Sequence, residues 1–227
     1  MITNDSSAQI VKDTESLVRE KFMDEGTGHD WWHIDRVRKL AIAIAKKEGA
    51  DPFVTELGAL LHDIADHKFH GGSLDIGPAT AKSWLEKLNC DPAVVQKVVD
   101  IVAQVSFKGA AVKTPMSTLE GECVQDADRM DAIGAIGIAR CFAFGGSRDQ
   151  PIYNPEEETK LHDSFEAYHN SKSSSIGHFY EKLLLLKDRM NTATGKKIAV
   201  QRHELMERFL DHFHLEWEGE VKGDSPD

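Results

Sequence analysis

Apolar residues at Ile34, Val37, Leu40, Ala41 and Ile44 recur at helical spacing and stop at Gly49, which predicts a helix over residues 34–48. Asp51-Pro52 reads as an N-cap followed by proline at the first helical position, and Asp91-Pro92 repeats the arrangement. The first start carries Leu57, Leu60, Leu61 and Ile64 through about residue 66; the second carries Val94, Val95, Val98, Val99, Ile101 and Val102. Gly77-Pro78 introduces a stretch with Trp84, Leu85 and Leu88, and one long periodic run, Val124 to Phe144, is closed by Gly145-Gly146. Beyond Pro151 and Pro155, helical spacing returns over Glu156–His169, Phe179–Met190 and Lys197–Trp217. Two-residue alternation never persists, so the fold class is all-α; no period of 20–50 residues repeats, so it is not a solenoid. Lys68–Ser73, Gly109–Gly121 and Asn170–Ser175 are the expected loops, the last rich in serine and expected to be mobile. Residues 1–19 are expected to form a helical extension of the same domain as 20–216, with 217–227 a frayed tail.

Length and composition narrow the classes. A chain of 227 residues, 41% hydrophobic, can bury a core without staples. Cys90, Cys123 and Cys141 are odd in number and form no C-x-x-C pair, against a disulfide scaffold or zinc ribbon. The start Met1-Ile2-Thr3-Asn4 lacks the basic and apolar regions of a leader, and no aliphatic run, Leu183–Leu186 included, approaches the length of a span, so a cytoplasmic location without a membrane span is expected. The net charge of −11 disfavours extended nucleic acid or anionic lipid as a partner, so a phosphate-bearing ligand has to be held by a local cluster or a metal.

Phosphate-cradling glycine loops, serine-hydrolase elbows and H-E-x-x-H are absent from the sequence. Histidine and aspartate are abundant, with eleven histidines, and His62-Asp63 lies inside the apolar run Leu57–Ala65. A carboxylate drawn toward a core needs a partner, and a divalent cation suits both side chains, since imidazole with carboxylate accommodates Mn, Fe, Ni or Zn. A backbone partner and a nearby basic residue would serve as well, so this segment alone leaves both explanations open. His33 opens one helix, and Asp128 lies in Asp126-Ala127-Asp128-Arg129-Met130-Asp131 near the start of another. Trp31-Trp32 either stacks a base or belongs to the core, the core being the commoner fate of such a pair.

A histidine on one helix, His-Asp in a later apolar segment and an Asp-Arg-Met aspartate on a third resemble the HD superfamily of metal-dependent phosphohydrolases. The segments Gly28-His29-Asp30-Trp31-Trp32-His33, Leu61–Gly72, Ser106-Phe107-Lys108-Gly109, Asp126–Gly134, His178–Leu183 and Leu186–Thr192 are similar to its small single-domain YpgQ/YedJ-like branch. The resemblance spans about residues 20–216 and implies an HD-domain helical bundle with His33, His62, Asp63 and Asp128 as metal ligands. Asp126 is the rival of Asp128. Two residues apart is about 200° on a helix, so only one of the two faces a metal, and the motif favours Asp128. Asp131, one turn on, reaches the same site or its surroundings. No histidine occurs from Gly71 through Leu161, which favours one ion rather than two.

The resemblance further implies one divalent transition metal, Mn2+ first, with Fe, Ni, Co or Zn as alternatives. It gives Asp66, one helical turn beyond His62-Asp63, the part of a water-orienting acid, by analogy with the stringent-response hydrolases; a surface carboxylate at a helix end is the competing explanation. Arg36, Lys68 and Lys108 are the candidate substrate contacts, with Lys182 and Lys187 behind them. The implied reaction is cleavage of a (deoxy)nucleoside triphosphate to the monophosphate and pyrophosphate. A nucleoside 5′-monophosphate phosphatase or a (p)ppGpp-type hydrolase is the alternative, and a nucleotide or metal sensor on the same scaffold the non-enzymatic one. A small-molecule nucleotide is the expected partner, and a homodimer is left open.

Overall fold

The computed structural model describes residues 4–23, 29–64, 75–107, 112–157 and 173–219. Among them every regular element is helical: α1 (Asn4–Phe22), α2 (Trp31–Glu48), α3 (Pro52–Leu61), α4 (Ile76–Lys87), α5 (Pro92–Gln104), α6 (Leu119–Asp131), α7 (Gly134–Ser147), α8 (Ser175–Glu181), a 3-10 turn (Leu183–Arg189) and α9 (Ala193–Trp217). None of these helices is long and apolar enough to cross a membrane.

The predicted starts are where capping chemistry puts them. Asp51 accepts from the Phe53 and Val54 amides and Asp91 from the Ala93 amide, each followed by proline. Gly49 closes α2 in the left-handed conformation. The core lies where α2 meets α3 and α6: Ile34, Val37, Ala41 and Ile44 pack with Leu57, Leu60 and Leu61 and with Val124, Ala127 and Met130, all essentially inaccessible. Each large aliphatic side chain buried there contributes roughly 1.5–3 kcal/mol. A second group joins α7, α8, the 3-10 turn and α9 around Phe142, Phe179 and Phe209, whose rings lie 5.7–6.1 Å apart. Helix α1 packs on α2 and α3, and Thr14 accepts from the Trp84 indole at 3.0 Å.

Several boundaries differ from the periodicity. Helix α3 stops at Leu61 rather than near 66, because the His62 ring takes the Ala59 carbonyl and Lys21 holds the Ile64 carbonyl. The run 124–144 is two helices, not one. Ile133 is extended and Gly134 has φ +75°, a left-handed position that the apolar spacing around it does not reveal. Helix α6 begins earlier, at Leu119, where the Thr118 hydroxyl accepts from the Gly121 amide, so the loop expected through Gly121 ends at Thr118. Phe179–Met190 divides at Lys182 into α8 and the 3-10 turn, where buried Leu183 and Leu186 share one edge at i, i+3. Of the expected serine-rich loop, Ser173–Ser175 are buried, with Ser173 donating to Glu181. Beyond Glu157, the helix expected over Glu156–His169 falls outside the described residues, as do Asn170 to Lys172, the loop Lys68–Ser73 and the tail from Glu220.

Candidate metal centre

Three elements deliver the site: α2, the end of α3 and α6. Asp30 caps α2 by accepting from the His33 amide at 2.8 Å, which sets His33 in the first turn, fully buried. Asp131, the last residue of α6, accepts from His33 Nδ1 at 2.7 Å. A carboxylate accepts, so Nδ1 carries a proton and Nε2 is the atom turned to the cluster. The termination of α3 does the same for His62, whose Nδ1 donates to the Ala59 carbonyl at 2.8 Å. The two Nε2 atoms face each other at 3.2 Å. Asp63 Oδ2 lies 3.4 Å from both, and Asp128 Oδ1 lies 3.6 Å from His33 Nε2 and 3.8 Å from His62 Nε2.

Two imidazole nitrogens and two carboxylate oxygens thus converge, the ligand types of a divalent-cation site. Burial opposes charge on His62, but Asp63 and Asp128 outweigh it and raise its pKa to about 9, so without a cation a proton is held among the carboxylates and has to leave when a metal binds. Burial also works against the Asp63 carboxylate, yet His62 and His29 hold it well below the usual range. The residues present therefore fit a divalent ion, with His33, His62, Asp63 and Asp128 as its holders.

Asp126, the rival, points elsewhere. It is fully buried and accepts from the Asn191 amide (2.8 Å), Asn191 Nδ2 (3.0 Å), the Thr192 amide (2.9 Å) and the Thr192 hydroxyl (2.7 Å). It ties α6 to the start of α9 so closely that a Cβ on Gly195 would stand 2.2 Å from its Oδ2. Its neighbour Gln125 holds the loop after α5, donating to the Gln104, Val105 and Thr114 carbonyls.

Arg36, a sequence candidate for substrate, instead forks onto Asp131, with Nε at 2.7 Å and Nη2 at 2.9 Å, and Arg140 adds a contact at 3.0 Å. Burial of Asp131 is overcome by hydrogen bonds from His33 and Arg36, and its pKa falls far below the carboxylate range. Asp66, Lys68 and Lys108 lie outside the described residues. The helical register that set Asp66 above His62-Asp63 ends at Leu61, so its nearness now rests on chain length alone. Trp31 belongs to the core at 4% exposure, whereas Trp32 is 53% exposed. Lys187 lies away from this cluster, beside Lys196 and His203 in a cleft of about 400 Å³ between the 3-10 turn and α9.

His29 is the residue that sequence reasoning passed over. Its Nδ1 lies 2.8 Å from Asp63 Oδ2, and two triads close enough to hold an ion, His33–His62–Asp128 and His29–His33–Asp63, meet at His33. Its signals were the adjacent His29-Asp30 pair, of a kind usually found on the surface, and its place in the Gly28–His33 segment of the resemblance.

Because Asp131 orients His33, Asp131→Asn is expected to weaken metal affinity by about 10–100-fold, and Asp131→Ala by more, since an amide oxygen still accepts from Nδ1. Titration of metal-stripped protein with Mn2+ checks this; equal affinities in all three proteins would make Asp131 a mere packing residue.

An HD domain family model matches residues 31–133, the segment that carries all four candidate ligands. The chain belongs to the HD superfamily of hydrolases, the metal-dependent phosphohydrolases. It is 38% identical over 195 residues to the YpgQ protein of Bacillus subtilis, covering 85% of this chain and 86% of that one. Among solved structures, a protein from Lactobacillus plantarum superposes with a TM-score of 0.82 at 34% identity, covering 97% of this chain and 100% of that chain. B. subtilis YpgQ in complex with ADP gives a TM-score of 0.74 at 31% identity, covering 96% and 98%. An HD-superfamily hydrolase from Bacillus thuringiensis gives 0.73 at 38%, covering 93% and 98%.

Proposed function

We propose that this protein hydrolyses (deoxy)nucleoside triphosphates to the monophosphate and pyrophosphate, with one Mn2+ ion held by His33, His62, Asp63 and Asp128. The observation that carries the metal-dependent part is the meeting of His33 and His62 Nε2 at 3.2 Å, with carboxylate oxygens of Asp63 and Asp128 lying 3.4–3.8 Å from both. The nucleotide part is supported by the ADP bound in the YpgQ structure. A divalent ion supplies Lewis acidity to a phosphoryl oxygen and lowers the pKa of a water.

The chain's own residues do the rest. Asp131 and the Ala59 carbonyl accept from the two Nδ1 atoms and so aim both Nε2 atoms at the cluster. His29 braces Asp63, so the carboxylate is held before any ligand arrives. Asp66 is assigned the orientation of the attacking water and the acceptance of its proton, as in other phosphoryl hydrolyses that need no covalent intermediate.

Both candidate triads share His33 and so describe one place, and one equivalent of metal per chain is expected. Elemental analysis of protein purified without chelator, followed by Mn2+ and a nucleotide panel read for pyrophosphate against orthophosphate, checks metal and reaction together. Two equivalents, both needed for turnover, would overturn the single site; orthophosphate from a monophosphate alone would make the protein a 5′-nucleotidase.

A further inference from the structure

A chain of net charge −11 that takes a polyphosphate has to concentrate cations locally, and Arg36 is engaged with Asp131. The concentration lies against the last turn of α6, where the 3-10 turn meets Arg129. Phe107, just past α5, has Lys182 Nζ 5.1 Å and the Arg189 guanidinium carbon 5.1 Å from its ring centroid. Lys182 is the break between α8 and the 3-10 turn, and Arg189 closes that turn, so both are placed by the same short segment. Arg129 backs them: it donates to the Arg189 carbonyl and, at 2.7 Å, to the Thr114 hydroxyl, while Arg189 donates to the Val112 carbonyl at 3.3 Å. Arg129 is itself buried, and its Nε has no partner among the described residues. It is also the residue after Asp128, so one helix carries a metal-cluster carboxylate and the backing of the cation cluster side by side.

We propose that Lys182 and Arg189, steadied by the Phe107 ring and backed by Arg129, bind the phosphate chain of the substrate beyond the phosphoryl group held at the His-Asp cluster. The inference rests on the triphosphate reading above and deepens it: the site takes a chain of phosphates, not a single phosphate ester. Charge-assisted contacts to phosphate oxygens favour a polyanion over an ester of equal size. The aromatic ring holds the two cations in place before the anion arrives, which lowers the ordering cost of binding.

The test uses Lys182→Met and Arg189→Gln in Mn2+-loaded full-length protein, each assayed on dATP and on bis(p-nitrophenyl) phosphate, which has no phosphate chain. Inhibition of the diester reaction by inorganic tripolyphosphate is measured alongside. Each variant is expected to raise the KM for dATP about 10–100-fold more than the KM for the diester, with a parallel weakening of tripolyphosphate inhibition, the scale of one charge-assisted hydrogen bond. Equal changes for dATP and the diester, or unchanged tripolyphosphate inhibition, would overturn the inference. If the wild-type protein cleaves the diester but no nucleoside triphosphate, the triphosphate reading fails; tripolyphosphate inhibition that still depends on Lys182 and Arg189 would then uphold the cation subsite alone.

Discussion

Asp128→Ala is expected to remove the metal and abolish turnover, while Asp126→Ala keeps the metal and lowers stability. The two carboxylates lie on one helix, two residues apart, and face different partners. Asp128 Oδ1 stands 3.6 and 3.8 Å from His33 and His62 Nε2, with its side chain 28% exposed. Without it, two imidazoles and one carboxylate remain, too few to retain a transition metal against a chelator. Asp126 meets four donors of Asn191 and Thr192 in a fully buried position. Its removal leaves those donors unsatisfied and loosens α9, at a cost of about 2–4 kcal/mol. For a chain of this size that is about 5–15 °C in Tm. Metal content by elemental analysis and thermal melting, run on both variants, separate the outcomes. Loss of metal in Asp126→Ala with retention in Asp128→Ala would reverse the assignment.

The second large effect concerns proton transfer. Asp66→Asn keeps the size of the side chain and removes the proton acceptor, so turnover is expected to fall by roughly 10²–10⁴, with metal content and KM little changed. Asp66 follows Asp63 by three residues, a span of at most about 10 Å, so its carboxylate can reach a water beside the metal even though the chain leaves its helix at Leu61. Near-normal turnover in Asp66→Asn would leave water activation to the metal alone, and loss of metal would make Asp66 a ligand. Single-turnover kinetics with metal-loaded protein distinguish the three.

What the sequence by itself determined is the helical nature of the chain and most helix starts. Those depend on local physics: 3.6-residue spacing of Leu, Ile and Val, aspartate caps before proline at Asp51 and Asp91, and glycine after α2. Resemblance, rather than spacing, named His33, His62, Asp63 and Asp128, and the structure brings these four together. Helix ends were less legible. The stop at Leu61 depends on a histidine ring turning onto its own carbonyl and on a lysine from α1, and the break at Gly134 on a backbone angle that apolar periodicity cannot register. Only the tertiary structure shows Asp126 turned away from the cluster, because its partners Asn191 and Thr192 lie more than sixty residues away along the chain. The same holds for Arg36 and Asp131, 95 residues apart, and for His29 on Asp63. A charged side chain's role is set by the group it meets across the fold, and chain order carries little information about that meeting.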